Sequence, residues 1–348
     1  MSSVCRFHTS MMKFKGYGNC MLKKNLFSKG MALLLVGTLL FALFGCGATE
    51  KAKETDESKK LVNVVCTLFP QYDFVKQIAG DKVEITLLLT PGTDSHTYDP
   101  SPTDMVKINN CDLFLYTGDL MEAWAADVLK SVDTEKVTVV DLSKGVALSP
   151  VEHQHHEDKS SEGEADGHDH SVDPHIWTSP KNAKIMVQSI ADALSRVDPE
   201  NADFYDIDAK SYCDKLDRLD AKIRTVVNEA PLKEIVVCDR FAMHYFCKEY
   251  GLAYIAAFDS CTSETEPSPA VLAEITQFVK DNNIPLVFYA ELSNKNLAEK
   301  VASLTGVSIA ELHSAHNVSA DDFADGVTYL DIMEQNLMSL KLALGVVS

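Results

Sequence analysis

From residue 61 onward, short apolar runs alternate with stretches whose apolar residues recur every three or four positions, the rhythm of an α/β chain. The runs predict strands over 61–68 (LVNVVCTL), 83–89, 113–118 and 137–142 in the first half. In the second half they predict strands over 235–239 (IVVCD), 252–258, 285–291 and 307–312. Helical spacing falls near 70–80, 102–111 and 120–131. Between the halves, Pro199 and Pro231 bracket a different run. Phe204, Ile207, Tyr212, Leu216, Leu219, Ile223, Val226 and Val227 mark one face of a helix over 199–230. At 1.5 Å per residue that helix is a rod of roughly 45 Å. The pattern therefore predicts two α/β lobes, 61–198 and 231–348, each built on a mainly parallel four-stranded sheet and bridged by one long rigid helix. A ligand cleft is expected between the lobes, at the carboxyl ends of the strands.

Residues 1–45 follow another pattern. Lys23, Lys24 and Lys29 precede an apolar run from Met31 to Gly45, and no acidic residue occurs before Glu50. That is a basic region followed by an export core of about 15 residues, shorter than the roughly 20 of a membrane span. The run ends LFGC, Leu43 to Cys46, which resembles the lipobox of bacterial lipoproteins, where the cysteine becomes the lipidated first residue. Residues 46–60 are polar and read as a flexible tether. Acyl chains on Cys46 would hold the protein at the outer face of the bacterial cytoplasmic membrane.

Charge narrows the partners. A net charge of −19 argues against nucleic acid and gives no polybasic membrane patch. A monomer is expected. Cys66, Cys111, Cys213, Cys238, Cys247 and Cys261 form no C-x-x-C pair, and several sit in apolar strand runs, as small buried hydrophobes do.

Two loops carry candidate chemistry. His96 stands in TPGTDSHTYDPSP (90–102), directly after the strand at 83–89. His175 stands in SVDPHIWTSPKNA (171–183), between the turn Asp173-Pro174 and the apolar pair Ile176-Trp177, with Thr178-Ser179-Pro180 opening a helix. Just upstream, His153, His155, His156, His168 and His170 alternate with Glu, Asp, Ser and Gly in the segment 152–172. They show no period and no packing residues, so the segment reads as a loop.

Seven motifs then appear in a fixed order: PGTDSHTYDPSP, VDPHIWTSPKNA, VDPENADFY, EYGL, SETEPSPAVLAEI, AELSNKNLAEKVASLTG and GVTYLDIMEQNL. In this order and spacing the chain resembles the zinc- and manganese-binding lipoproteins of bacterial ABC importers, the ZnuA/TroA-like family, over about residues 60–345. The resemblance implies one divalent metal held between two bridged lobes and handed to a membrane permease. It places ligands at His96 and His175. The family's third ligand falls on Arg240, whose guanidinium only donates and stays protonated, so it cannot bind a cation. The fourth falls on His313, with His316 a plausible neighbour. A carboxylate or water is expected to complete the shell. Asp239, Glu264 and His244 are the nearby candidates, and Arg240 is expected to pair with Asp239 or Glu264. Glu291 matches the family's glutamate and is expected to orient partners rather than bind. The histidine-rich loop would collect zinc weakly near the cleft mouth, or be a solvated insertion.

Three imidazoles favour Zn2+, with Mn2+ the alternative, since manganese wants more oxygen. A zinc hydrolase using Glu264 as base is the competing class, although the chain has no H-E-x-x-H helix. A surface adhesin is a third reading that no residue pattern supports independently.

Overall fold

The computed structural model describes residues 60–150, 172–258 and 268–346. The export region, Cys46, Cys261, Glu264 and the loop histidines His153, His155, His156, His168 and His170 lie outside the described residues. Each apolar run has become a parallel strand. β1 (Val62–Cys66), β2 (Val83–Leu87), β3 (Leu113–Tyr116) and β4 (Thr138–Asp141) form a sheet of order β2-β1-β3-β4. β5 (Glu234–Arg240), β6 (Ala253–Phe258), β7 (Leu286–Tyr289) and β8 (Ser308–Glu311) repeat that order as β6-β5-β7-β8. In both sheets the winding reverses beside the first strand, which is where an α/β sheet opens a crevice at its carboxyl edge.

Helices α1 (Phe69–Ala79), α2 (Pro102–Asn110), α3 (Ala125–Leu129) and α4 (Pro180–Val197) flank the first sheet, and α5 (Ala202–Glu229) leaves it. α6 (His244–Tyr250), α7 (Pro269–Asp281), α8 (Asn296–Thr305), α9 (Ala320–Asp325) and α10 (Tyr329–Ala343) follow in the second half. The helix expected over 120–131 shortens to α3. Its first part is spent instead on turns that bury Glu122, whose carboxylate accepts the Thr117 N–H at 3.0 Å and the Thr67 hydroxyl at 2.5 Å.

The long bridging helix is present as α5, 28 residues or about 42 Å at the standard rise. Its buried face differs from the expected one in the first two turns. Tyr205 and Ala209 are buried there, whereas Phe204 and Ile207 are 36% and 66% exposed. With them the face reads Tyr205, Ala209, Tyr212, Leu216, Leu219, Ile223 and Val226, steps of four and three without a break. The Tyr205 hydroxyl donates to Asp198 at 2.7 Å, which satisfies its one polar atom and lets the ring go inside.

α5 packs on α1 and α4 from the first half and on α6 and α10 from the second. A single apolar core runs from Val64 and Phe74 through Tyr212, Leu216 and Leu219 to Phe246 and Leu340. Smaller cores line the other face of each sheet. Cys66, Cys111, Cys238 and Cys247 are buried in these cores as free thiols, and Cys213 is half-buried.

Candidate metal centre

Three loops at the carboxyl edges of the sheets meet, and three histidines converge. The ring centroids of His96 and His175 are 5.4 Å apart, those of His96 and His316 5.6 Å, and those of His175 and His316 5.6 Å. Imidazoles bound to one ion at about 2 Å have centroids about 5 Å apart, so the ring spacing suits one cation.

Two of the rings are backed by carboxylates. Asp173, itself buried, accepts from His175 Nδ1 at 2.7 Å and from the His175 backbone N–H at 2.7 Å. Glu291, buried at the end of the strand β7 run, accepts from His316 Nδ1 at 2.7 Å. The Ser314 hydroxyl and backbone N–H also donate to Glu291. A carboxylate on Nδ1 keeps the proton there and makes Nε2 the lone-pair nitrogen, the usual arrangement behind a metal-bound histidine. His96 Nε2 is buried and has no hydrogen-bond partner among the described residues, a costly state that a cation would relieve.

The electrostatics favour cations bound to neutral rings. Burial, helped by the neighbouring His175 and His316, pushes His96 down to about 3. Burial alone would raise Glu291, but His313, His316 and the Ser314 hydroxyl hold it well below the ordinary carboxylate range. At Asp173 the His175 ring likewise outweighs burial and lowers the carboxyl. The cavity between these groups is about 30 Å³ and is lined in part by His96, Arg240, Glu291 and His316. That is room for one ion or one water and no organic molecule. A much larger groove of about 900 Å³ runs between α4, α5 and α6, but its polar residues, such as Lys184, Asp217, Arg224 and Glu249, are engaged in surface ion pairs.

His313, expected as the last ligand, does not join the triangle. Its Nδ1 accepts the Ala315 N–H at 2.9 Å, and the ring lines a separate pocket with Glu311, Asp322 and Asp331. Ala315 sits at φ +64°, a left-handed turn between the two histidines of HSAH. Glu291 Oε1 lies 2.7 Å from His316 Nδ1 and 3.9 Å from His313 Nδ1.

The expected pairing of Arg240 with Glu264 lies outside the described residues. The Arg240 guanidinium donates to Asp94 Oδ2 at 2.9 Å, across from the second half to the first. Asp239 accepts instead from the Arg240 backbone N–H at 2.8 Å and from the Ser293 hydroxyl, stapling β5 to the loop after β7. His244 stands apart from the triangle, buried, with Nε2 3.2 Å from the Ser149 hydroxyl.

The loops are tied to each other by backbone contacts. Asn317, fully buried, donates from Nδ2 to the carbonyls of Thr90 at 2.9 Å and Thr93 at 2.7 Å. Gly92, at φ +83°, donates its N–H to Val318 O at 2.7 Å, a turn that a side chain would strain. Trp177 Nε1 donates to Ser314 O at 2.8 Å, and the Tyr329 hydroxyl donates to Trp177 O at 2.6 Å.

Asp94, Asp173, Ser314 and Asn317 are not among the site residues expected from the sequence. A legible signal existed for the first two. Asp94-Ser95-His96 and Asp173-Pro174-His175 share the spacing D-x-H, and in both the aspartate accepts the N–H of its histidine. No comparable signal marks Asn317.

Comparison with known proteins places the chain in a family. The profile of the family described as zinc-uptake complex component A, periplasmic (ZnuA), matches residues 64–343. The chain is 32% identical over 316 residues to the high-affinity zinc uptake system protein ZnuA of Bacillus subtilis, covering 91% of this chain and 98% of that one. It is 33% identical over 313 residues to the zinc-binding lipoprotein AdcA of Streptococcus pneumoniae, covering 90% of this chain but only 60% of that protein's length. The crystal structure of the Zn(II)-bound ZnuA-like domain of S. pneumoniae AdcA superposes with a TM-score of 0.69 at 31% identity, over 82% of this chain and 99% of that domain. With the family profile spanning nearly the whole folded region, the chain belongs to the ZnuA family of zinc-uptake components.

Proposed function

We propose that this chain is the extracytoplasmic binding component of a metal ABC importer, capturing one divalent cation, Zn2+ ahead of Mn2+, and handing it to a membrane permease. The observation that carries the reading is the triangle of His96, His175 and His316, two of whose rings are fixed by Asp173 and Glu291. Three imidazole nitrogens suit zinc and poorly satisfy the oxygen-seeking Mn2+. Asp94, Asp173 and Glu291 beside the rings, set against Arg240, leave a net negative surrounding that complements a dication. The zinc-bound relative supports the same metal.

The protein works by binding without turnover, a reading supported by its membership of a family of zinc-uptake components. The chain acts as a monomer, exported and anchored through lipidated Cys46 at the outer face of the cytoplasmic membrane; the lipoprotein name of the S. pneumoniae relative supports this placement. The histidines at 153, 155, 156, 168 and 170 collect zinc weakly and raise its local supply.

Metal analysis of the protein lacking residues 152–172 tests the reading. One tightly held zinc per chain, acquired more slowly from dilute zinc than by the intact protein, is the expected result. Loss of all zinc would move the function to the loop and overturn the cleft site.

A further inference from the structure

The Asp94–Arg240 pair joins the two halves at the edge of the histidine triangle. A carboxylate oxygen of Asp94 and one ring nitrogen each of His96 and His316 lie within 4.8 Å of one another, close enough to serve one cation. We propose that Asp94 is the fourth ligand of the bound metal, and that Arg240 is its resident counter-cation, which the metal must displace. The inference rests on the histidine triangle being the metal site, and it goes beyond that reading by assigning the fourth ligand and the setting of affinity.

Two observations support it. Asp94 is positioned before any metal arrives, because its Oδ1 accepts the His96 N–H at 2.9 Å. Arg240 occupies the place where the family resemblance expects a ligand, and its permanently charged guanidinium would oppose a dication unless Asp94 stood between them. Three nitrogens and one carboxylate oxygen complete a four-coordinate shell of the kind zinc prefers. The site of the empty protein thus carries its own cation, and zinc binds by exchanging with it. Arg240 lowers affinity and is ready to reclaim Asp94 when the metal leaves.

The test is a set of three variants of the lipid-free chain: Asp94→Asn, Arg240→Gln and both together. Zinc affinity is read by competition with a chromophoric chelator and ligation by the visible bands of bound Co2+. Asp94→Asn should weaken zinc at least tenfold and shift the Co2+ bands. Arg240→Gln should tighten zinc about tenfold, and that gain should shrink by threefold or more in the double variant. Unchanged affinity and bands in Asp94→Asn would overturn the ligand assignment. Equal tightening by Arg240→Gln with and without Asp94 would overturn the exchange, leaving Arg240 as a distant charge. If Asp94→Asn does not fold, Arg240→Gln alone still decides, since weaker zinc binding there overturns the proposal. A parent chain that binds no zinc, or binds it equally after His175→Ala, would instead sink the histidine site itself.

Discussion

Glu291 and Asp173 each back an imidazole ring of the proposed site, and each fixes which nitrogen carries the lone pair. Glu291→Gln should therefore keep a stoichiometry of one zinc while weakening it about 10- to 100-fold in chelator competition, the usual cost of losing such a partner. His313→Ala should change zinc affinity by less than about threefold, because that ring faces the pocket of Glu311 and Asp331. His313 and His316 also show the limit of reading ligands from sequence. Both are histidines on the same loop after the last strand, three positions apart, and no residue type separates them. What sets them apart in the fold is the left-handed turn at Ala315 and the buried Glu291, which lies 2.7 Å from His316 and 3.9 Å from His313. His96 and His175 were legible because proline, glycine and aspartate set their loops locally.

The bridging helix was legible in extent and only partly in facing. A search for the most apolar residues picks Phe204 and Ile207, whereas the helix buries Tyr205 and Ala209. Phe204 is served at the surface by Lys82, whose ammonium lies 5.5 Å from the ring centre. The alternation of four and three steps was the better guide, since it holds from Tyr205 to Val226. Two substitutions separate the faces. Leu219→Ala, at 1% exposure, should lower the unfolding free energy by about 2–5 kcal/mol in urea. Ile207→Ala, at 66% exposure, should stay within about 0.5 kcal/mol. A comparable loss at both positions would contradict the observed facing.

For the whole molecule, stability without metal should form a plateau in pH. Burial pushes Glu122 up to about 8 from an ordinary 4.5, so the folded state holds a proton that the unfolded chain releases, and stability falls as pH rises from about 4.5 to 8. His96 is pushed down to about 3 from 6.5, so the unfolded chain binds the extra proton, and stability falls as pH drops below about 6.5. Between 4.5 and 6.5 the two slopes, each about 1.4 kcal/mol per pH unit, oppose each other. Below that window Asp94 and Glu291, both held low, add to the acid loss. Denaturant midpoints of the metal-free protein across pH 4–8 should show the plateau with a decline on either side. In Glu122→Gln the alkaline decline should vanish. Its persistence would assign that slope to another group.

Asn317 has a consequence for how the metal leaves. By donating to Thr90 and Thr93 from the loop that carries His316, it freezes two of the three histidine loops into one piece during folding. Part of the entropy of gathering the ligands is therefore already lost before zinc arrives, which favours binding. Letting go of the metal then calls for something that competes for its ligands, as a guanidinium at the rim can, rather than for a nest that falls open.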